Sequence, residues 1–286
     1  MRLARTVMPA AVAAALLAAS PVAASPVAAG SIEIGFAVYG SGIRLANGTF
    51  AIERGDGRYE TRIEARGTRL VDLLTGWSYV AEAEGRLTAA GPAPENFRAE
   101  RRLRRKHEVR RMRWDETGAV EVVDLPPQSA EDAAAVPPEF RPGTIDPLSA
   151  LLAVAAALGP DGCSGDLPVF DGRRRYDILA RDDGTDTLEA NRQARYSGPA
   201  DRCEVTLRPV AGFEGDRDEG AFFEYGAERT ATVWHAPAGP DGETVPVRLQ
   251  LDEPGSSFVL HLVSATTGPE PGPGPATAQR ASSDRM

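Results

Sequence analysis

The sequence has few of the residue types that most often carry out catalysis or hold metal ions. Its 286 residues include only two cysteines and three histidines, and the histidines at positions 107, 235 and 261 are far apart. It contains neither a Cys-x-x-Cys pair nor a Gly-x-Ser-x-Gly nucleophile elbow. Nucleophilic hydrolysis needs a serine or cysteine beside an oriented base, and zinc sites need clustered ligands. The residues therefore indicate no catalytic centre, metal site or cofactor.

The chain also lacks positive net charge and is poor in aromatic residues. Its 32 basic and 41 acidic residues give a formal net charge of −9, and aromatic residues make up 6% of the sequence. Nucleic-acid binders usually combine a basic surface with stacking aromatic side chains. This composition therefore excludes nucleic acid as the expected partner.

No apolar run reaches the roughly 20 residues that a membrane-spanning helix needs. The longest lies at the amino terminus, where Arg2 and Arg5 precede an apolar stretch from Val7 to Ala19, followed by small residues. This order is typical of a cleaved secretory signal peptide. We therefore expect residues 1–29 to be removed and the mature protein to be exported to the periplasm, without a transmembrane span.

The remainder of the sequence alternates between polar and apolar residues with a period of two. Tyr59, Thr61, Ile63 and Ala65 share one face of a predicted strand, while the intervening residues are Arg and Glu. Such alternation is typical of an antiparallel strand with one buried face. The 29 glycines and 23 prolines argue against a helical bundle. Tight turns are expected at Asn47-Gly48, Asp56-Gly57, Asp183-Gly184 and Asp241-Gly242.

One helix is predicted from Pro147 to Leu158. Asp146 can cap its first turn, proline suits the first helical position, and Gly159-Pro160 would end it. The helix body has no charged residue, so we expect it to be buried against the concave face of a sheet. A shorter helical turn is expected from Thr68 to Leu74.

These patterns predict a mainly β fold, in which a single curved antiparallel sheet or half-barrel wraps around one buried helix. We assign residues 31–266 to one β-rich domain. The proline-rich residues 267–286 are expected to form a disordered tail.

Several motifs carry a resemblance to a known family. They are Pro142–Leu151, Cys163, Val169–Asp177, Tyr196-Ser197-Gly198 and Cys203. With them the chain resembles the exported proteobacterial proteins of domain-of-unknown-function family 3108. The resemblance implies a β-rich envelope protein, and it implies no particular activity. Strands around a helix are also similar, at the level of fold only, to the half-barrels of periplasmic lipoprotein and lipid carriers.

A ligand cavity inside such a half-barrel would be walled by large apolar residues. The residues expected there are Phe36, Tyr59, Trp77, Leu148, Leu151 and Leu152. The same side chains could instead fill a dry core without a ligand, and the sequence leaves both alternatives open.

A basic run from Arg98 to Arg113 is the most unusual local feature. Arg102, Arg104 and Arg105 are candidate ligands for anionic groups such as lipid phosphates, which suit the bidentate geometry of arginine. The alternative is a solvated strand face whose charge is cancelled by neighbouring acids, namely Glu82, Glu84 and Glu121.

Three functions follow as hypotheses. The first is a non-enzymatic periplasmic protein that binds a hydrophobic or amphipathic envelope component. The second is an envelope assembly factor that binds a protein partner along an exposed strand edge or through the basic strand. The third is a glycan or lipid hydrolase using Asp171 with a distant carboxylate, although an Asp-Gly turn is the simpler role for Asp171-Gly172.

Cys163 and Cys203 are predicted to form a disulfide, because an isolated pair in an oxidising compartment most simply joins. The closed loop of about 41 residues corresponds to about 4 kcal/mol of stabilisation by chain entropy. C163S or C203S should therefore lower the melting temperature under oxidising conditions, measured by circular dichroism. A reductant should lower the melting temperature of the wild type to that of the variants. If either variant is as stable as the wild type without reductant, the prediction of a disulfide is wrong.

Overall fold

The computed structural model describes residues 30–127, 135–157, 163–213, 227–253 and 256–268. The predicted signal peptide, residues 1–29, lies outside the described residues. So do the predicted helix end at Gly159-Pro160 and the tail from residue 269 onward.

Thirteen strands of the described residues form one antiparallel sheet. They are β1 (Gly30–Gly40), β2 (Ile43–Gly55), β3 (Arg58–Gly67), β4 (Ser78–Thr88), β5 (Gly91–Leu103), β6 (Lys106–Trp114), β7 (Val120–Leu125), β8 (Ser164–Phe170), β9 (Arg175–Leu188), β10 (Gly198–Ala211), β11 (Arg229–Ala236), β12 (Val245–Glu253) and β13 (Ser256–Thr267).

Strands that follow each other along the chain also pair in the sheet, with one break. The order runs from β7 to β1 and then from β13 to β8, so β1 pairs with β13 in the middle of the sheet. The two strands that flank the break in sequence, β7 and β8, are the two edges. The sheet is therefore not closed into a barrel.

The predicted alternation is confirmed in β3. Tyr59, Thr61 and Ala65 are buried, whereas Arg58 and Glu60 are exposed. The buried set faces the concave side of the sheet, which we call the trough.

Two of the four predicted tight turns are confirmed. Asp56-Gly57 joins β2 to β3, and Asp241-Gly242 lies in a short 3-10 turn between β11 and β12. Both aspartates and both glycines have positive φ. The left-handed backbone of a tight turn accounts for these residue types.

The other two predicted turns are wrong, because both lie inside strands. A Cβ at position 48, within β2, would come within 2.4 Å of the Phe36 ring on the neighbouring strand, so glycine is there to make room for that ring. Gly184, within β9, has a φ of 80° and lies where the pairing with β10 shifts by one residue. It forms a β-bulge rather than a chain reversal.

The described residues also contain the two predicted helices, α1 (Arg69–Thr75) and α2 (Pro147–Ala157). α2 packs against β3, β4 and β5 from one half of the sheet and against β8 from the opposite edge. The sheet therefore curves around α2, and the predicted fold is confirmed. No helix among the described residues is long and apolar enough to cross a membrane.

The segment before α2 covers the gap between the two sheet edges. Trp114, at the end of β6, donates from its indole Nε1 to the carbonyl oxygen of Thr144 at 3.1 Å. Ile145 then pairs with Val169 of β8 in an isolated parallel bridge. Phe170 of β8 packs in the same buried cluster as Trp114, and Val122 of β7 packs against it, so side chains from both edges share one core.

Cys163 and Cys203 lie at disulfide distance, with their Cα atoms 6.0 Å apart. Cys163 immediately precedes β8 and Cys203 belongs to β10, with β9 between them. The pair would therefore tie an edge strand to the sheet interior.

A buried polar chain anchors α2 to the sheet. The Asp146 Oδ1 atom accepts the backbone N–H groups of Leu148 at 2.9 Å and Ser149 at 3.0 Å, as expected for a cap. Its Oδ2 atom accepts from the Ser149 hydroxyl, which lies 2.6 Å from the Tyr59 hydroxyl on β3. Asp146 and Ser149 are both fully buried.

Burial raises the pKa of Asp146 from 3.8 to about 6, although the hydrogen bonds from Ser149 and Leu148 oppose this shift. The folded state thus binds a proton more tightly than the unfolded state does. This contribution to stability is complete below about pH 4 and is lost as the pH rises to about 6. It corresponds to about 3 kcal/mol.

The variant D146N should remove this pH dependence while keeping a capping oxygen. We expect the unfolding free energy of D146N, relative to wild type, to rise by about 3 kcal/mol between pH 4 and pH 7. Urea denaturation at several pH values measures the difference. D72N, on the exposed surface of α1, is the control. If the difference in unfolding free energy between D146N and the wild type does not change with pH, the pKa of Asp146 is the same in the folded and unfolded states.

Candidate functional site

A cavity of about 720 Å³ occupies the part of the trough that α2 does not fill. It lies toward the end of the sheet that carries the turns 40–43, 103–106 and 170–175, which we call the hairpin end. Pro147, the first residue of α2, lines the cavity, so the helix begins where the cavity stops.

The cavity wall is mainly apolar. Its apolar lining comes chiefly from β1 to β5 and β13, and includes Phe36, Val38, Ile63, Ala65, Trp77, Ala99, Phe258 and Leu260. Inward-facing positions of neighbouring strands supply this surface, as the period-two pattern requires.

Charged residues line the side of the cavity near the open edges. Arg101 and Glu108 pair across β5 and β6 at 3.2 Å. Arg110, Asp124, Asp171, Arg173 and Arg174 line the same cavity. The lining thus contains four arginines and three carboxylates.

Arg110 links the two edges of the sheet across this cavity. Its Nε atom donates to the Asp124 carboxylate on β7 at 2.8 Å, and its Nη1 atom donates to the carbonyl oxygen of Asp171 at 3.0 Å. The Asp124 side chain is only 7% exposed. Gly172 makes this approach possible, because a Cβ there would lie 2.4 Å from Arg110 Cδ.

Asp171 holds the β8–β9 turn. Its Oδ1 atom accepts the backbone N–H groups of Arg173 at 2.8 Å and Arg174 at 2.7 Å, and Gly172 has a φ of 92°. These contacts fit the turn that Asp171-Gly172 predicts. The Oδ1 atom of Asp171 is therefore already engaged in hydrogen bonds to the backbone.

Two tyrosines on the cavity wall keep their hydroxyl protons over a wide pH range. Burial raises the pKa of Tyr79 to about 12, and the charge of Asp171 adds to the shift. Burial likewise raises the pKa of Tyr176 well above its ordinary value. Neutral phenols can both donate and accept hydrogen bonds, so they suit a polar ligand group.

The structure separates the six residues predicted to wall a cavity. Phe36 and Trp77 line the cavity at the hairpin end. Tyr59, Leu148 and Leu152 instead lie in the packed core around α2, each no more than 2% exposed, and Leu151 is 43% exposed. The reason is that α2, which carries the three leucines, itself fills the part of the trough that Tyr59 borders.

The three predicted anion-binding arginines are also separated. Arg102 lies on the convex face of β5 and pairs with Glu100 at 2.9 Å. Hydrogen bonds from Arg102, Arg98 and His107 lower the pKa of Glu100 to about 2. Arg104 and Arg105 form the exposed tip of the β5–β6 turn, and neither has an ion-pair partner among the described residues.

Of the three acids expected to neutralise the basic run, Glu121 lies opposite Arg113 across β6 and β7, and the other two contact residues outside the run. Glu82 pairs with Arg62 on β3, and Glu84 accepts from the Asn96 amide at 2.7 Å. These residues, with Glu121, line a second groove of about 680 Å³ on the convex face. Because its lining is mostly charged, that groove offers less apolar surface than the cavity in the trough and is a weaker candidate for ligand binding.

Sequence reasoning missed Arg110 and Asp124. Arg110 shares its strand face with Met112 and Trp114, which are buried, so the alternation of β6 does place Arg110 inside the trough. The signal was hidden because the surrounding arginines made the run look uniformly solvated. The partnership with Asp171 joins residues 61 positions apart, which no local pattern reveals.

Among the described residues, no group of three or more His, Cys, Asp or Glu side chains is placed to hold a metal ion.

Comparisons with known proteins add a family and a distant neighbour. The profile of a family described as protein of unknown function, DUF3108, matches residues 35–263. No curated protein matches the chain. A solved structure from Brucella abortus, entitled a beta-barrel-like protein of domain of unknown function DUF1849, is 10% identical. It covers 84% of this chain and 99% of its own length, with a TM-score of 0.44.

The variant R110Q tests the link between the sheet edges. It would leave the buried Asp124 carboxylate without its closest cation, so we expect the unfolding free energy to fall by about 2 kcal/mol. R111Q changes the next residue, whose exposed side chain lies on the opposite face of β6. It should change the unfolding free energy by less than about 0.5 kcal/mol. Urea denaturation measures both. Equal effects would mean that Arg110 contributes no more than a surface arginine.

Proposed function

The chain belongs to the DUF3108 family, whose function is unknown. We propose that it binds an amphipathic anionic molecule of the cell envelope in the cavity. The observation that carries this proposal is the apolar cavity with charged groups along one side.

The dimensions of the cavity support a small lipid-like ligand. Its volume of about 720 Å³ falls within the range of about 300–1,000 Å³ that is typical of ligand sites. Trp77, Phe36 and Leu260 offer an apolar surface against which an acyl chain or similar body can pack. Burying that surface would give the larger share of the binding free energy.

The charged side of the cavity supports an anionic head group. Four arginines face three carboxylates there, and the Asp171 carboxylate already accepts two backbone N–H groups. Arginine binds carboxylate and phosphate oxygens through paired N–H donors. The neutral Tyr79 hydroxyl supplies a further donor.

The proposed compartment is the periplasm. The leader pattern in residues 1–29 supports export, and the cysteine pair at disulfide distance supports an oxidising environment. A cavity of this kind would shield the apolar part of an envelope component from water. No bond need be made or broken, so we propose a binding protein rather than an enzyme.

A protein partner is the second candidate, and the open edge β7 favours it. Val123 and Leu125 on this strand are 44% and 49% exposed, and the outer side of β7 pairs with no other described strand. An extended segment of an envelope protein could add to such an edge.

Native mass spectrometry of the protein recovered from its own exported compartment tests the binding proposal. We expect an added mass that is lost on lipid extraction. The extracted protein should then bind cis-parinarate, a fluorescent fatty acid, with energy transfer from tryptophan. It should bind the uncharged methyl ester less tightly, because the ester lacks the charge that the arginines recognise.

A matched pair of variants localises the binding. A99F places a ring on the trough face of β5 and should weaken parinarate binding at least tenfold. V80F adds a ring to the convex face of the neighbouring strand and should leave binding unchanged. If the purified protein carries no ligand and the wild type binds parinarate no better than A99F does, the cavity proposal fails. A stoichiometric envelope protein recovered without lipid would then favour the β7 edge.

A further inference from the structure

Three leucines of α1 are directed into solvent. Leu70, Leu73 and Leu74 are 67%, 83% and 67% exposed. Their spacing of three and four residues places them on one face of the helix. Val71, one helical turn before Leu74 and on the adjacent side of the helix, lines the cavity. α1 therefore has one apolar side toward the cavity and another toward water.

The position of α1 is fixed by hydrogen bonds at both ends. The backbone N–H of Thr68 donates to the carbonyl oxygen of Leu45 on β2 at 2.8 Å. The carbonyl oxygen of Thr75 accepts from the backbone N–H of Arg104 at 2.5 Å. The helix thus spans the hairpin end of the sheet from β2 to the β5–β6 turn. It borders the cavity, which Leu45 also lines.

Cations flank the exposed leucines. Arg69 on α1 and Arg104, Arg105 and Lys106 at the β5–β6 turn are all exposed. Asp72 is the one acidic residue of α1, and it is also exposed. The neighbouring Arg102 and Glu100 pair with each other. This part of the surface therefore carries positive charge, in a chain whose formal net charge is −9.

We propose that this surface, formed by Leu70, Leu73, Leu74, Arg69, Arg104, Arg105 and Lys106 and here called the α1 surface, docks on an anionic phospholipid bilayer. The leucines enter the boundary between head groups and acyl chains, and the cations contact lipid phosphates. The proposal rests on the proposed function, because docking would bring the cavity wall that α1 forms to the source or destination of the ligand.

Charge complementarity and shape favour a bilayer over another macromolecule. The four cations match the phosphates of an anionic leaflet, where each basic residue strengthens binding severalfold. The leucines project from a short convex helix. A fluid bilayer accepts such side chains without a matching groove, whereas a protein partner would need one.

Vesicle flotation tests the proposal with the purified full-length mature protein. The probes are vesicles of phosphatidylcholine with phosphatidylglycerol at about one third, and vesicles of phosphatidylcholine alone. We expect the wild type to bind the anionic vesicles, and added salt to weaken the binding. R104Q/R105Q should lower the partition coefficient about thirtyfold, and L70S/L73S/L74S at least tenfold.

Matched variants elsewhere on the surface provide the controls. R111Q/R113Q removes two exposed arginines from the convex face of β6, outside the α1 surface. V123S/L151S removes two exposed apolar side chains outside the α1 surface. Both control variants should bind anionic vesicles like the wild type. Circular dichroism checks that the leucine variant keeps its fold, as expected for exposed positions.

The only lysine of the chain, Lys106, provides a direct readout of the contact. Acetylation with an amine-reactive reagent, followed by peptide mass mapping, should modify Lys106 more slowly when anionic vesicles are present. Phosphatidylcholine vesicles should give no protection. In L73W, the emission of the new tryptophan should shift to shorter wavelength on anionic vesicles.

The outcomes separate docking from ligand binding. The α1 surface variants should bind cis-parinarate normally while losing vesicle binding, and A99F should do the reverse. Vesicle binding that depends on the α1 surface supports docking even if no ligand occupies the cavity. Absence of wild-type binding to anionic vesicles, or equal binding by all variants, would overturn the proposal.

Discussion

The burial of an uncharged helix inside the curved sheet is the constraint on which the rest of the structure depends. α2 has 11 residues, so at 1.5 Å per residue it is about 16 Å long. β5 has 13 residues and at 3.3 Å per residue spans about 43 Å. The helix can therefore fill less than half the length of the trough. In the filled part, Leu152 of α2 shares a buried cluster with Tyr59 of β3, and the cavity remains where the helix is absent.

The sheet holds its helix through polar contacts that are costly to bury. Asp146 caps α2 from inside the protein, where burial raises its pKa, and Ser149 connects the cap to Tyr59 on β3. At the other end of the trough, Arg110 connects β7 with the β8–β9 turn. The open side of the half-barrel is thus closed by specific hydrogen bonds and a shared core rather than by strand pairing.

The sequence predicted those features that depend on local pattern. The alternation of β3, the capped α2 and the turn at Asp171-Gly172 all arise from residues within a few positions of each other. Asn47-Gly48 misled for a physical reason, since its glycine serves a long-range contact with Phe36 rather than a turn. The division of the trough into a part filled by α2 and a cavity could not be predicted from the sequence either. It depends on the length of α2 relative to strands that are far away in sequence. Arg110 was hidden in a run of arginines that alternate between the two faces of one strand.

The distribution of charge gives the two ends of the sheet different surroundings. At physiological ionic strength, interactions between exposed charges fade over about 8 Å, so an approaching bilayer senses the local surface rather than the net charge of −9. An anionic leaflet would repel most of this acidic protein and attract only a region where cations outnumber acids. Arg104, Arg105 and Lys106 provide such a region beside the exposed leucines of α1. Because Val71 on the same helix lines the cavity, any movement of α1 on contact with lipid would alter the cavity directly. Docking through this region would therefore hold the cavity wall that α1 forms against the lipid.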